Sequence, residues 1–315
     1  MQRFLLIWLA LSSWLAFIWP QWVDGFDPFV RSKSLLAWII AGTMFSIGAL
    51  LPRDEVQQLR SRWGSVLSGT LLQYSCMPLL AWLTAQCFSL GETATLGVIM
   101  VGCVPGAMAS NVLTLAARGN VSFSVSLTTL ATIVSPLFVP LALRLTLSQT
   151  TQLDVGRACQ SLLMTVVGPV IAGHVLARTW ARFATIMAAV GPPLANAAIL
   201  WIIATVVGLN RDRLGDASAA LLIVLLTINV GGYCCGWFGG RLIGLDESMR
   251  RALTLEVGMQ NAGVGTALVL ELFPDRPEAA IPTATYTFGC MLTGTVLAWW
   301  FARRTSPSEG DCLAT

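Results

Sequence analysis

The sequence predicts an all-α integral membrane protein of ten transmembrane helices, built as two inverted five-helix repeats whose broken fourth and ninth helices cross near the midplane. Three observations carry that prediction. The 315 residues are 55% hydrophobic and only 11% charged, with a mean hydropathy of +0.72. A soluble domain carries about 25% charged residues, and a chain this poor in charge cannot cover a water-facing surface. The apolar residues gather into ten runs, most of them near the roughly 20 residues that a spanning helix needs. Two of those runs, in corresponding places, carry helix-breaking residues beside polar side chains.

In chain order the runs cover residues 4–19, 34–51, 65–88, 93–117, 121–147, 157–179, 186–208, 217–243, 248–273 and 279–302. The first follows Arg3 as a signal peptide would, but it ends in IWPQW rather than a small-residue cleavage site, so it is kept as a helix. Residues 1–150 then form the first repeat and 151–304 the second, and the polar tail 305–315 is expected to be disordered.

The fourth run reads TATLGVIMVGCVPGAMASNVLTLAARG. Pro105 removes a backbone donor and clashes with the preceding turn, and Gly106 adds freedom, so the helix is expected to break there. The ninth reads SMRRALTLEVGMQNAGVGTALVLELF, with its break expected near Gln260, Asn261 and Gly263. Because five is odd, two similar five-helix halves must lie upside down relative to each other. Inverted repeats with paired broken helices place substrate and ion sites where the breaks meet. The halves are matched by the position of the breaks rather than by residue similarity.

With both termini on one side, that side holds 12 of the 19 Lys and Arg residues, so both termini are expected to be cytoplasmic, in a cell inner membrane. The net charge of +3 is therefore a topology signal and not a nucleic-acid footprint. Lys33 is the lone lysine, so the chain has no phosphate-binding G-x-x-x-x-G-K-[ST] loop and calls for no ATP-binding partner. His174 is the lone histidine, which excludes a multi-histidine metal site and leaves no recognisable nucleophile–base pair for an enzyme. Seven of the eight cysteines lie in apolar runs with no C-x-x-C spacing, and read as small hydrophobes in packed helices.

Glu256 in LEVGMQNAGVG lies mid-span with no Lys or Arg inside that stretch. An ionised carboxylate there costs on the order of 3 kcal/mol unless something neutralises it. A bound cation would do so; protonation, or an arginine from a neighbouring segment, are the alternatives. Broken backbone at this depth is tolerated where it lines a cavity, and its freed carbonyls can coordinate a cation. Ser110 and Asn111 follow the first break, Ser124 and Thr128 share one face of the fifth run at i,i+4, and Gln73 lies mid-helix in the third. All offer oxygen, which suits a hard cation rather than zinc or copper.

GCVPGAMASNVLTLAARGNVSFSVSLTTLATIVSP and EVGMQNAGVG resemble the bile acid:sodium symporter family, and the resemblance extends over essentially the whole chain. It implies a panel domain (helices 1, 2, 6 and 7) moving against a core domain (helices 3–5 and 8–10), and sodium-coupled symport of an organic anion across a lipid bilayer by alternating access. It also implies two sodium sites: Ser110, Asn111, Ser124, Thr128 and Glu256 in one; Gln73, Glu256, Met259, Gln260 and the Val257 backbone in the other. Bacterial members carry bile acids in some cases and small pantoate-like acids in others. Some bile-acid-binding members have His-Asn in helix 10, where this chain aligns Cys290 and Met291, and a Thr near the first break, where it has Met108.

Two sodium ions, Glu256 and a monoanionic substrate sum to a near-neutral loaded site. The half-helix N-termini at Ala107–Asn111 and Asn261–Gly263 offer N–H groups and the positive dipole end, which favour a carboxylate. The expected substrate is a small monocarboxylate near Ala107, Met108, Asn111, Asn261, Phe288, Cys290 and Met291. A proton-coupled carrier with Glu256 as the proton site, and a passive channel, are the rival readings.

Overall fold

The computed structural model describes residues 5–23, 25–52, 61–147, 153–212 and 219–304. The junction expected at 150/151 and the tail expected to be disordered, 305–315, lie outside them. The described residues are helical apart from loops and one isolated backbone bridge. They form α1 (Leu5–Trp22), α2 (Pro28–Leu50), α3 (Trp63–Cys87), α4a (Glu92–Cys103), α4b (Ala109–Ala116), α5 (Val121–Thr146), α6 (Val155–Thr179), α7 (Ala181–Leu209), α8 (Ala219–Leu242), α9a (Glu247–Gly258), α9b (Ala262–Leu272) and α10 (Ala280–Arg304). Among the described residues six of these, α2, α3, α5, α6, α7 and α8, are each long and apolar enough to cross a membrane. Trp38, Leu137, Leu145, Phe238 and Leu242 point outward and are exposed. Such an apolar perimeter is a surface that lipid covers and water does not.

Local chemistry sets the helix ends. Asp27 caps α2, accepting from the Phe29 and Val30 N–H groups, and Pro28 occupies the first helical position, where no backbone donor is needed. The helix therefore starts six residues before the apolar run at 34, passing through a 3₁₀ turn at Ser32–Leu35. Asn120 caps α5 through the Phe123 N–H, and Asp154 caps α6 through the Arg157 N–H. Within α6 the stretch Leu163–Val167 widens to a π turn just before Gly168 and Pro169. Pro169 lacks an N–H and crowds the preceding turn, which accounts for the irregularity. Asp246 caps α9a through the Met249 N–H. Its carboxyl is held below the usual carboxylate range chiefly by the Ser248 hydroxyl, with the Met249 and Ser248 N–H groups and Arg62 adding to it against the effect of burial.

The helices pack as two groups. In the first, α1 and α2 lie on α7, and α2 lies on α6. A Cβ at Gly48 would stand 2.0 Å from the Val170 carbonyl oxygen, so α2 and α6 approach this closely only because Gly48 has no side chain. In the second, α3 packs on α4a, α5 and α8, α8 on α9a, and α9b on α10. The small-residue run GGYCCGWFGG serves the α8–α9a contact: a Cβ at Gly236 would lie 2.6 Å from the Thr254 Cα. The groups meet where α5 packs on α6, α9b and α10 pack on α7, and α9b packs on α2. Three polar links join the groups at that end: Lys33 Nζ to the Pro274 carbonyl at 3.2 Å, Asn210 Nδ2 to the Pro277 carbonyl at 3.4 Å, and the Ser161 hydroxyl to Glu271 Oε2 at 2.7 Å.

Candidate functional site

Both predicted breaks are present, and each completes the other. Pro105 cannot donate to α4a and forces the preceding Val104 into extended backbone (ψ 157°), so the helix stops at Cys103 and resumes at Ala109. The second break runs from Met259 to Asn261, whose side chain caps α9b by accepting from the Val264 N–H at 3.3 Å. The two interrupted stretches lie antiparallel, with Gly106 opposite Gln260. The Ala107 N–H donates to the Met259 carbonyl at 2.7 Å, and the Asn261 N–H to the Pro105 carbonyl at 2.7 Å. Backbone groups released by each break are thus satisfied by the other, which makes irregular backbone tolerable at membrane depth.

Glu256 sits on the last turn of α9a, 0% exposed, against this crossing. The Ser110 hydroxyl donates to Oε2 in a short bond, and the Thr128 hydroxyl donates to Oε1 at 2.7 Å. Asn111 Oδ1 stands 3.4 Å from the same Thr128 oxygen. Ser124 is one step removed: its hydroxyl oxygen accepts from Thr114 at 3.3 Å. No Arg, Lys or His among the described residues forms an ion pair with Glu256. Gly106 makes room for the carboxylate, since a Cβ there would lie 2.0 Å from Glu256 Oε1.

A second polar group adjoins the first. Gln73, 1% exposed, donates through Nε2 to Gln260 Oε1 at 3.3 Å, and Gln260 Nε2 donates to the Val257 carbonyl at 2.8 Å. Gln73 Oε1 is buried without a hydrogen-bond partner. Met259 is buried, with its carbonyl engaged in the crossing. Two residues absent from the sequence reading hold this region: Asn229 Nδ2 and the Tyr286 hydroxyl both donate to the Gly258 carbonyl, each at 2.8 Å. Asn229 is the one amide in the apolar run of α8, a signal open to sequence reading; nothing around Tyr286 marks it.

Beside the crossing a cavity of about 410 Å³ opens between the two helix groups. Ala107, Met108, Asn111, Asn261, Cys290 and Met291 line it, and no charged side chain does. Phe288 does not line it. The face of α10 turned to the cavity carries Thr287, Cys290, Met291 and Thr295, and Phe288 lies off that stripe against the apolar core. The amides available to an anion are also fewer than expected. Those of Ala107 and Asn261 are spent across the crossing, and that of Asn111 on the Met108 carbonyl. The N–H groups of Met108, Ala109 and Gly263 have no partner among the described residues, and all three residues line the cavity.

The donor set around Glu256 and Gln73 is chiefly oxygen, with a buried carboxylate and an orphaned amide oxygen; the soft groups beside it are the thioethers of Met259 and of Met108, whose sulfur lies 3.6 Å from Asn111 Nδ2. A set dominated by neutral oxygens and one carboxylate fits a small hard cation. Residues 37–217 match the family model of the sodium bile acid symporter family. The chain belongs to the sodium bile acid symporter family. It is 31% identical over 303 residues to the uncharacterized sodium-dependent transporter YocS of Bacillus subtilis, covering 96% of this chain and 92% of that one. It is 29% identical to the probable sodium/metabolite cotransporter BASS1 of Arabidopsis thaliana, over 96% of this chain and 74% of that one. It is 30% identical to the ileal sodium/bile acid cotransporter of rabbit (Oryctolagus cuniculus), over 75% and 69%. Membership makes this chain a multi-pass membrane transporter and not an enzyme.

Proposed function

We propose that the protein is a sodium-coupled symporter of a small organic monoanion, working by alternating access in a cell inner membrane. The observation that carries this reading is the crossing itself. It gathers a buried carboxylate and neutral oxygens on one side, and on the other has residues at two helix N-termini that line a cavity and whose N–H groups have no partner among the described residues. Two sodium ions are the coupling substrates. Ser110, Asn111, Ser124, Thr128 and Glu256 serve one, and Gln73, Glu256, Val257, Met259 and Gln260 serve the other. Bound sodium supplies positive charge that offsets Glu256 and the substrate; the residues themselves fix where that charge stands.

The substrate carboxylate is held by the Met108, Ala109 and Gly263 N–H groups, where the positive ends of α4b and α9b converge. The rest of the substrate lies against Ala107, Met108, Cys290 and Met291, so a compact, largely apolar body is favoured over a large polar one. The ten-span inverted repeat supplies the frame, with α1, α10 and the split α4 and α9 joining the six long apolar helices, and the α1/α2/α6/α7 group rocking as a panel against the rest. Leu51, Pro52 and Thr295 line one end of the cavity, and the Lys33, Asn210 and Ser161 links close the opposite end. With both termini cytoplasmic, this is the inward-facing state. Arg303 and Arg304 lie over Trp299 and Trp300 at 3.8 and 4.0 Å, anchoring that face at the cytoplasmic interface.

The test is uptake of a pantoate-like acid and of taurocholate into proteoliposomes, with sodium, proton or no imposed gradient. Sodium-driven accumulation of the compact acid is expected. Uptake driven by protons alone, or equilibration without accumulation, refutes sodium coupling, and tighter binding of taurocholate refutes the compact substrate.

A further inference from the structure

The two walls of the cavity differ in chemistry. On the wall formed by α4b, α9b and α10, several polar groups surround the crossing. The opposite wall is built from α1, α2 and α7, and all but two of its lining side chains are apolar. One exception, Thr43, is already committed: its hydroxyl donates to the Ile39 carbonyl at 2.7 Å. The other is Asn196. It lies on the cavity face of α7 with Pro192 one turn before it and Ile199 one turn after it. Its side-chain amide has no hydrogen-bond partner among the described residues, so its donors and its acceptor are both free. The hydroxyls elsewhere in the cavity are not free in this way: Thr287 and Thr295 donate to the Thr283 and Met291 carbonyls of their own helix.

We infer that Asn196 is a specificity-determining residue, which reads a second, neutral hydrogen-bonding group at the end of the substrate remote from its carboxylate. This rests on the reading above that the carboxylate binds at the crossing. An amide that can both give and accept a hydrogen bond matches a hydroxyl or an amide, and an apolar wall around it offers that group no other partner. The substrate class is therefore a monocarboxylate with a distal hydroxyl or amide, not a simple fatty acid. Such a molecule spans the cavity, with its anion on the α4b/α9b/α10 wall and its neutral end on the α1/α2/α7 wall. It is in contact with both groups of helices at once, whereas a plain acid has a polar contact with only one.

The experiment measures binding of ω-hydroxy carboxylates of graded chain length and of their unsubstituted parents to the purified full chain, with and without sodium. It uses wild type, Asn196→Leu and Asn196→Ser. Sodium-dependent thermal stabilisation reports that each variant is folded. At the best chain length, wild type is expected to prefer the hydroxy acid by about fivefold, the scale of one net hydrogen bond. In Asn196→Leu that ratio falls to near one, and in Asn196→Ser it is partly restored. If wild type and Asn196→Leu show the same ratio while both bind acids in a sodium-dependent way, the Asn196 assignment is wrong and the carboxylate site stands. If neither acid binds wild type with any dependence on sodium, the sodium-coupled reading fails and this assignment falls with it.

Discussion

Glu256→Gln is the sharpest perturbation of the crossing. It preserves size and one oxygen and removes the charge. The carboxylate has hydroxyl donors from Ser110 and Thr128 and no described cationic partner. On the sodium reading, it is thus the one full counter-charge at either site. Two unit charges about 4 Å apart at an effective dielectric of about 20 attract by about 4 kcal/mol. Losing that attraction weakens sodium binding by roughly a thousandfold. At a sodium concentration about 100 times its dissociation constant, wild type gains about 2.7 kcal/mol of stability from the ion. The same concentration is about a tenth of the variant's constant, and the gain there falls to about 0.1 kcal/mol. Thermal unfolding of purified protein in sodium chloride against choline chloride measures both. The sodium-dependent shift is expected to vanish in Glu256→Gln, while unfolding in choline occurs at or above the wild-type temperature, because an uncompensated buried charge has gone. A full sodium-dependent shift in the variant refutes the assignment of Glu256 as the shared counter-charge. A variant that is far less stable in choline refutes it as well, because the carboxylate would then be structural.

Three further outcomes are expected. Thr128→Val removes the 2.7 Å donor to Glu256 and should raise the sodium needed for half-maximal uptake by roughly tenfold or more, as for a hydrogen bond to a charged group; Ser124→Ala, one step removed, should raise it only a few-fold. Gly106→Ala places a Cβ 2.0 Å from Glu256 Oε1 and should abolish the sodium-dependent shift, whereas Gly289→Ala, with nothing within 4 Å of its Cβ, should leave it intact; equal behaviour of the two would show that Gly106 is not needed for the carboxylate's position. On the proposed inward-facing orientation, replacing Lys33 by Met and Asn210 by Leu removes two of the polar links between the helix groups at the outer end, and should increase labelling of a cysteine introduced at Val264 from the outside by about tenfold; unchanged labelling would remove those links from any role in closure.

What the sequence disclosed follows the range of the physics involved. The first break was legible because proline's missing donor acts on its own turn, and Glu256 was legible because a charge in oil stands out at any fold. The start of α2 was missed by six residues because hydropathy does not register a cap, although Asp27 and Pro28 carry that signal. Long-range partners left no trace. Nothing in the sequence ties Asn229 and Tyr286 to the Gly258 carbonyl, or shows that Gly106 must be bare for a carboxylate 150 residues later. The proposed anion cradle illustrates the same limit. Read alone, each half-helix offers all its first N–H groups, and Ala107, Asn111 and Asn261 look available. Once the breaks face each other, they consume the donors of Ala107 and Asn261 across the crossing, and the N–H groups left without a partner among the described residues are those of Met108, Ala109 and Gly263, residues that line the cavity. That partition has a consequence for coupling. Glu256 ends α9a, Ser110 and the free Ala109 amide begin α4b, and the free Gly263 amide begins α9b, so these groups flank the two stretches joined by the bonds from Ala107 to Met259 and from Asn261 to Pro105. A shift of that crossing moves Glu256 and Ser110 relative to Thr128 on α5, and carries the free amides with it. On the proposed reading, sodium and substrate therefore communicate through the crossing, by its two backbone hydrogen bonds and the Ser110–Glu256 bond beside them.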